Sequence, residues 1–297
     1  MRIGMRLAAR CVAAVAVLML GSVAAVPAGW AASGSSTCTQ CVTPHKPFKI
    51  FGNTYYVGTE GLSSILITSD FGHVLIDTGL PGSAPLIRAS IEALGFKITE
   101  VKGILVSGEH PEYAGGLAQL QRDSGAQVYT MRGGEPVLRT GKLVSEDPLY
   151  ASKATIAPVA QPWVVQDDQL LGIGGQRVRA MATPGRSPGG TSWSWESCEG
   201  GTCLNFVYVG NLAAATAGKY RFRDHPQTQQ AMETTFKRLE SARCDVLLTA
   251  HPEASQLFPR LDPQGGSRAA SIKDDSACKR HAQSAREAFA RYLAAEK

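Results

Sequence analysis

Four chemically active side chains, Glu109, His110, Glu112 and Tyr113, fall within five positions of the stretch SGEHPEYAGG. One imidazole, two carboxylates and a phenol at that density can hold a metal ion, move a proton or build a polar turn. The residues on either side set the frame. Ile104, Leu105 and Val106 form a short, partly β-branched apolar run that reads as a buried strand, and apolar residues return at helical spacing over 114–121. A strand feeding a polar loop and then a helix puts that loop at the carboxyl end of a sheet, where α/β folds gather their chemistry.

The elements that must position this loop follow from periodicity and punctuation. Strands are predicted over Phe48 to Val57 and Ser63 to Thr68, with a turn at Gly72 and His73 leading into a strand over Val74 to Asp77. An amphipathic helix is predicted from Ala84 to Leu94, ended by Gly95. After the loop come a helix over Ala118 to Ser124, a strand over Gln127 to Thr130 and a helix near Glu135 to Arg139. Residues 141–162 lack apolar periodicity and read as a surface loop over the site. From Trp163 the chain is strand-rich again: Val164 to Val165, Gln176 to Met181, Gly190 to Trp195 and Asn205 to Tyr208. A helix over Thr228 to Ser241, a strand over Asp245 to Thr249 and a helix over Ala277 to Ala295 complete it. Two strand-rich halves with helices outside them imply an α/β fold, an αββα sandwich forming one domain over 48–297.

The first 32 residues are a separate object. Arg2, Arg6 and Arg10 precede an apolar run from Cys11 to Val26, and small residues follow near Ala28 and Ala32, the pattern of a secretory signal peptide. A polar tail, 33–47, is expected to follow, and the mature protein is expected in the periplasm or outside the cell. Removing three arginines and no acids brings the formal charge from +5 to +2, and no basic run remains, so nucleic acid is not an expected partner. No second apolar stretch is long enough for a membrane span. Six of the seven cysteines lie beyond the leader. Cys198 and Cys203 flank a Glu-Gly-Gly-Thr turn and are expected to close a small loop. Cys38 and Cys41 either form a short bridge or stay free; lying in the polar tail, away from any strand-to-helix junction, they carry no thioredoxin-like expectation.

The blocks FGNTYYVG, LITSDFGHVLIDTGLP, SGEHPEYAGG, ATPGRSPGGTSWSW and DVLLTAHPEAS, in this order from Phe48 onward, resemble the metallo-β-lactamases, most closely subclass B3. The resemblance implies a dinuclear zinc hydrolase of β-lactams with a His-x-His-x-Asp-His loop. The three histidines of the first zinc fall at Gly108, His110 and Arg186, and the ligands of the second at Glu112, Tyr113 and His251. Asp77 matches a buried aspartate beneath the metal loop, whose plainer role is a satisfied carboxylate at a strand end. The substrate-binding segment Tyr-Ala-Asp-Ser-Leu-Ser reads Tyr208 to Ala213 here, putting Asn211 and Ala213 where hydroxyls would hold a carboxylate. A Cys244–Cys278 bridge is implied by the same relatives; the N-terminal pairing that some of them make falls at Glu60, which is no cysteine.

Glycine has no donor atom and a guanidinium is a cation with no acceptor. Glu112 keeps a carboxylate but shifts it outward by roughly 1.5 Å, against a tolerance of about 0.2 Å in zinc sites. Tyr113 would need to ionise, from an ordinary pKa of about 10. His110, Glu112 and His251 remain as a three-ligand set, so at most one weakly held zinc is expected, or none. Two functions stay open. One is a weak or redirected single-metal hydrolase with Glu112 and Asp77 as catalytic candidates. The other is a non-catalytic scaffold, or a binder of a β-lactam-like or other small anion, whose pocket is organised by Arg186; Asn211 and Arg186 are the substrate-binding candidates. Arg186 itself either enters the vacated first-zinc position and pairs with Glu112 or Glu109, or turns to solvent. His45, His73, His225 and His281 are read as surface or turn residues.

Overall fold

The computed structural model describes residues 38–261 and 268–296, so the expected leader lies outside them. Two sheets face each other. The first runs β1 (Phe48–Phe51), β2 (Thr54–Tyr56), β3 (Ile65–Ile67), β4 (His73–Ile76), β5 (Val101–Leu105), β6 (Gln127–Met131), β7 (Trp163–Val165), in that spatial order. Its first three pairings are antiparallel and its last three parallel. The parallel half needs crossovers, and α1 (Ala84–Ala93), α2 (Pro111–Ala114), α3 (Leu117–Ser124) and α4 (Glu135–Thr140) supply them. The second sheet contains β8 (Leu170–Ile173), β9 (Gln176–Ala182), β10 (Thr191–Glu199), β11 (Thr202–Val209) and β12 (Val246–Thr249), ordered β12-β11-β10-β9-β8.

Strand β11 shows how the layers form. Phe206 and Tyr208 join the core between the sheets. Val207 and Val209 point the other way and pack with Phe236, Leu239 and Phe289 of α5 (Pro226–Glu240) and α8 (Ala277–Ala295). A period of two therefore feeds two cores from one strand. On the other sheet, Ile87, Ile91, Leu117 and Leu120 of α1 and α3 join the main core. The result is the expected αββα sandwich.

Three differences from the sequence reading have local causes. The strand expected over 48–57 is two strands, because Gly52 turns with φ of +54° and lies so close to Ser197 that a β-carbon would sit 2.4 Å from Oγ. β8 was not anticipated; four residues with only Leu171 and Ile173 buried give too short a pattern. His73 and His281 are not surface or turn residues. His73 lies in the buried β4, edge-on to Phe96 at 4.9 Å, with Nε2 3.5 Å from Glu100. His281 turns inward from α8 with Nε2 buried and unpartnered, and burial lowers its pKa to about 4.

The segment from Cys38 to Pro47 is docked, not loose. Gly61 N–H donates to the Gln40 carbonyl, Glu60 N–H to that of Thr43, and Thr59 Oγ1 to that of Cys41. Cys198–Cys203 closes the β10–β11 hairpin, Cys244–Cys278 ties α8 to the approach of β12, and Cys38–Cys41 closes the N-terminal turn.

Candidate active site

The loops after β4, β5, β11 and β12, with the β9–β10 connection, meet at one end of the sandwich, and each brings one part of the predicted constellation. β4 runs directly into Asp77, whose φ of +57° is a left-handed conformation that costs a non-glycine residue about 1 kcal/mol or more. Its carboxylate accepts Ser107 N–H at 2.7 Å and Ser107 Oγ at 2.5 Å, and Tyr208 Oη donates to it at 2.8 Å. Burial pushes the Asp77 pKa up to about 7 against those three donors. The residue thus welds the ends of β4, β5 and β11 together beneath the loop.

The loop after β5 starts α2 with Pro111 at its first turn, a position where proline's missing N–H costs nothing. Gly115 and Gly116 then pass so close to the 78–81 backbone that a β-carbon would meet Pro81 N at 2.4 Å and Thr78 O at 2.6 Å. Thr78 N and Oγ1 both donate to the Tyr113 carbonyl, at 2.7 and 2.8 Å. This rigid start fixes where the side chains of His110, Glu112 and Tyr113 go.

His110 is buried, and its Nε2 lies 2.8 Å from Asp147 Oδ2, a carboxylate with no exposed surface, while Nδ1 has no partner. Burial works against the imidazolium, but Asp147 outweighs it and raises the His110 pKa. Glu112 meets Arg186: Nη2 lies 3.2 Å from Oε1, and Nη1 donates to the Ala213 carbonyl at 3.2 Å. Of the two placements open for Arg186, the inward one is observed, with its side chain only 12 % exposed. Burial would raise the Glu112 pKa, yet Arg186, then His110, hold it below the ordinary carboxylate value. Burial opposes the Arg186 charge, and Glu112 more than restores it.

Glu109, the other candidate partner, is used elsewhere. It is buried and accepts Ser187 Oγ and Gly189 N–H, both at 2.9 Å, pinning the loop that carries Arg186. Tyr113 is buried, its ring 6.3 Å from that of His110, and Asn211 N–H donates to its hydroxyl at 3.2 Å. Burial, then Glu112, push the Tyr113 pKa well above that of an ordinary phenol. His251 approaches Glu112 from β12 and makes a backbone hydrogen bond with Gly61; burial lowers its pKa. The Asn211 side chain turns back on its own loop, accepting Ala213 N–H at 2.8 Å.

Between Ser107, Tyr113, Thr183, Arg186, Ser187 and Asn211 there remains a cavity of about 10 Å³. That is the room of one water molecule. Among the described residues, the single trio of possible ligands with donor atoms within 4.8 Å of one another is Glu196, Cys198 and Cys203, whose sulfurs are bonded to each other. His110, Glu112 and His251 share a neighbourhood and interact electrostatically, but their donor atoms do not converge to that degree. The sequence reading missed Asp147 and the bracing by Glu109. Asp147 sits in a loop without periodicity, and only a search for a carboxylate to orient His110 could have found it.

The model of the metallo-beta-lactamase superfamily matches residues 57–251. Among solved structures, the chain is 42% identical to the Rm3 metallo-beta-lactamase, covering 88% of this chain and 98% of that one with a TM-score of 0.84. It is 36% identical to SMB-1, crystallised with mercaptoacetic acid, covering 86% and 99% with a TM-score of 0.83. A B3 enzyme described as the first with an active-site glutamic acid is 34% identical over 86% and 92%, with a TM-score of 0.78.

Proposed function

The chain belongs to the metallo-beta-lactamase superfamily, on the B3 branch, and from that premise we propose that it is an exported protein whose dinuclear zinc site has given way to a protein ion pair. The carrying observation is the Arg186 guanidinium 3.2 Å from Glu112, with a cavity of only about 10 Å³ beside Arg186 and Tyr113. A guanidinium supplies the positive charge that the family takes from zinc and offers no ligand atom. Two zinc ions do not fit this donor set. Gly108 and Arg186 leave His110 alone of the first three ligands. At the second position Tyr113 is held neutral, and Glu112 is engaged by Arg186. The unpartnered His110 Nδ1 leaves room for at most one loosely held ion, with Glu112 and His251 as the other ligands. Family zinc supplies a hydroxide near neutral pH and polarises a carbonyl; without two ions, β-lactam hydrolysis is expected to be weak or absent. Asp77 then acts as structural cement, and Glu112 as the counter-ion of Arg186.

The second reading, a binder of a small anion, rests on Arg186 Nε, which is buried and unpartnered and could give one hydrogen bond. Elemental analysis of the dialysed protein, beside a β-lactam hydrolysis assay with and without added zinc, tests the first reading. No more than one zinc per chain and slow turnover are expected. Two tightly retained zincs would overturn it. Acetate or phosphate that protects the protein thermally, in a manner abolished by Arg186→Met, would favour the second.

A further inference from the structure

We propose that Cys38–Cys41 is a thiol–disulfide exchange site, in which Cys38 is the sulfur that reacts with outside thiols and disulfides and Cys41 is the one that resolves. The two cysteines are not equivalent: Cys38 is exposed, while Cys41 is 5 % exposed. The Cys41 N–H points at Cys38 Sγ, 3.2 Å away, and an N–H directed at sulfur stabilises a thiolate there. Successive turn bonds build this geometry, from Cys41 N to Cys38 O, Val42 N to Thr39 O and Thr43 N to Gln40 O.

The turn does not depend on the bridge for its place. Gly61 and Glu60 N–H, the Thr59 hydroxyl and the Pro44–Thr59 pairing dock it on the 59–61 loop. The bond can therefore open while the turn stays folded. The other bridges lack this combination. Cys244 and Cys278 are both buried. Cys198 and Cys203 are both exposed, and Cys198 Sγ faces the Glu196 carboxylate at 3.9 Å, a like charge that disfavours a thiolate.

The co-reactant is a low-molecular-weight monothiol. Its thiolate attacks Cys38 Sγ, the internal S–S bond breaks, and the electron pair leaves on Cys41, which takes up a proton. A second thiolate attacks the outer sulfur of the mixed disulfide and releases Cys38. The chain gains two electrons and two protons, and two thiols become one external disulfide. In reverse, the Cys38 thiolate attacks an external disulfide and Cys41 closes the ring.

The full chain is incubated in glutathione buffers, quenched by alkylation, and each cysteine mapped by mass spectrometry. Cys38–Cys41 should open at least about tenfold faster than Cys198–Cys203, with Cys244–Cys278 intact. The Cys41→Ser variant should hold glutathione on Cys38, whereas Cys38→Ser should leave Cys41 unmodified until denaturant is added. Circular dichroism checks that both variants are folded; the wild-type rates decide if either is not. Equal opening of the two exposed bridges, or equal capture of glutathione by Cys38 and Cys41, would overturn the assignment.

Discussion

The ring of Tyr113 stands over the backbone of Gly108, so that a β-carbon at 108 would lie 2.8 Å from its Cδ2 and 2.9 Å from its Cε2. The two substitutions are thus one steric unit: the larger ring at 113 occupies space that a side chain at 108 would need. Gly108→His alone should destabilise the protein by about 1–3 kcal/mol, the usual effect of overpacking. Tyr113→His in the same chain should recover part of that loss, because the smaller ring withdraws from the contact. Urea denaturation of both single variants and the double variant measures the coupling. Strictly additive effects would mean that the ring moves aside freely.

Arg186 and Glu112 form the second unit. Arg186→Met leaves a carboxylate, 24 % exposed, without its cation. The loss should be somewhat below the ~3–5 kcal/mol seen when one side of a fully buried pair is removed. Removing both charges, as Glu112→Gln with Arg186→Met, should cost less than removing the arginine alone. Denaturant midpoints at pH 7 read this ordering, and a double variant less stable than Arg186→Met would show that the pair is not the unit.

Asp77 predicts a pH dependence. Its folded pKa of about 7 exceeds the ordinary carboxylate value of 3.8, because burial outweighs the Ser107 and Tyr208 donors. The folded chain therefore keeps a proton that the unfolded chain releases. The stability from this group is full below about pH 4, falls as pH rises to about 7 by at most ~1.4 kcal/mol per unit, and is flat above. Asp77→Asn has no such proton. Its unfolding free energy should vary less between pH 5 and 7 than the wild type's, measured in urea at both values. Parallel profiles would place the titration elsewhere.

The legible part of this protein was what repeats along the chain or keeps family order. The strand over Asn205 to Tyr208, the helix over Ala118 to Ser124 and the pairing of Cys198 with Cys203 all followed from residue type and spacing. The rest depends on distances across the fold. Glu109 and Glu112 are equally good partners for Arg186 on paper; only the β9–β10 loop, whose Ser187 Oγ and Gly189 N–H face Glu109, separates their roles. Asp147 lies 37 residues from His110 in an aperiodic loop. His73 misled because a Gly-His pair after Asp70 and Phe71 looks like a turn, whereas the histidine already belongs to a strand buried at every position.

Repair of the site is the most demanding prediction. Gly108→His, Glu112→Asp, Tyr113→His and Arg186→His together would restore the ligand types of the family loop. The structure says why single reversions should do little. A histidine at 108 meets the Tyr113 ring, and an aspartate at 112 still faces the Arg186 guanidinium. A histidine at 186 alone frees Glu112 but adds a ligand beside a position that has none. Such mutually dependent groups are strongly non-additive. His110 needs no change, since Asp147 holds Nε2 and leaves Nδ1 without a partner. With all four changes, the protein should bind two zincs and hydrolyse a β-lactam at least about a hundredfold faster, on the order of 2.7 kcal/mol in barrier. Ala213, which cannot offer a hydroxyl, should then appear mainly as a raised KM if the family hydroxyl contributes uniform binding. Metal analysis beside steady-state kinetics separates the outcomes. A folded quadruple variant with two zincs and no turnover would locate the divergence in Asn211, Ala213 and the rest of the substrate loop, outside the metal ligands.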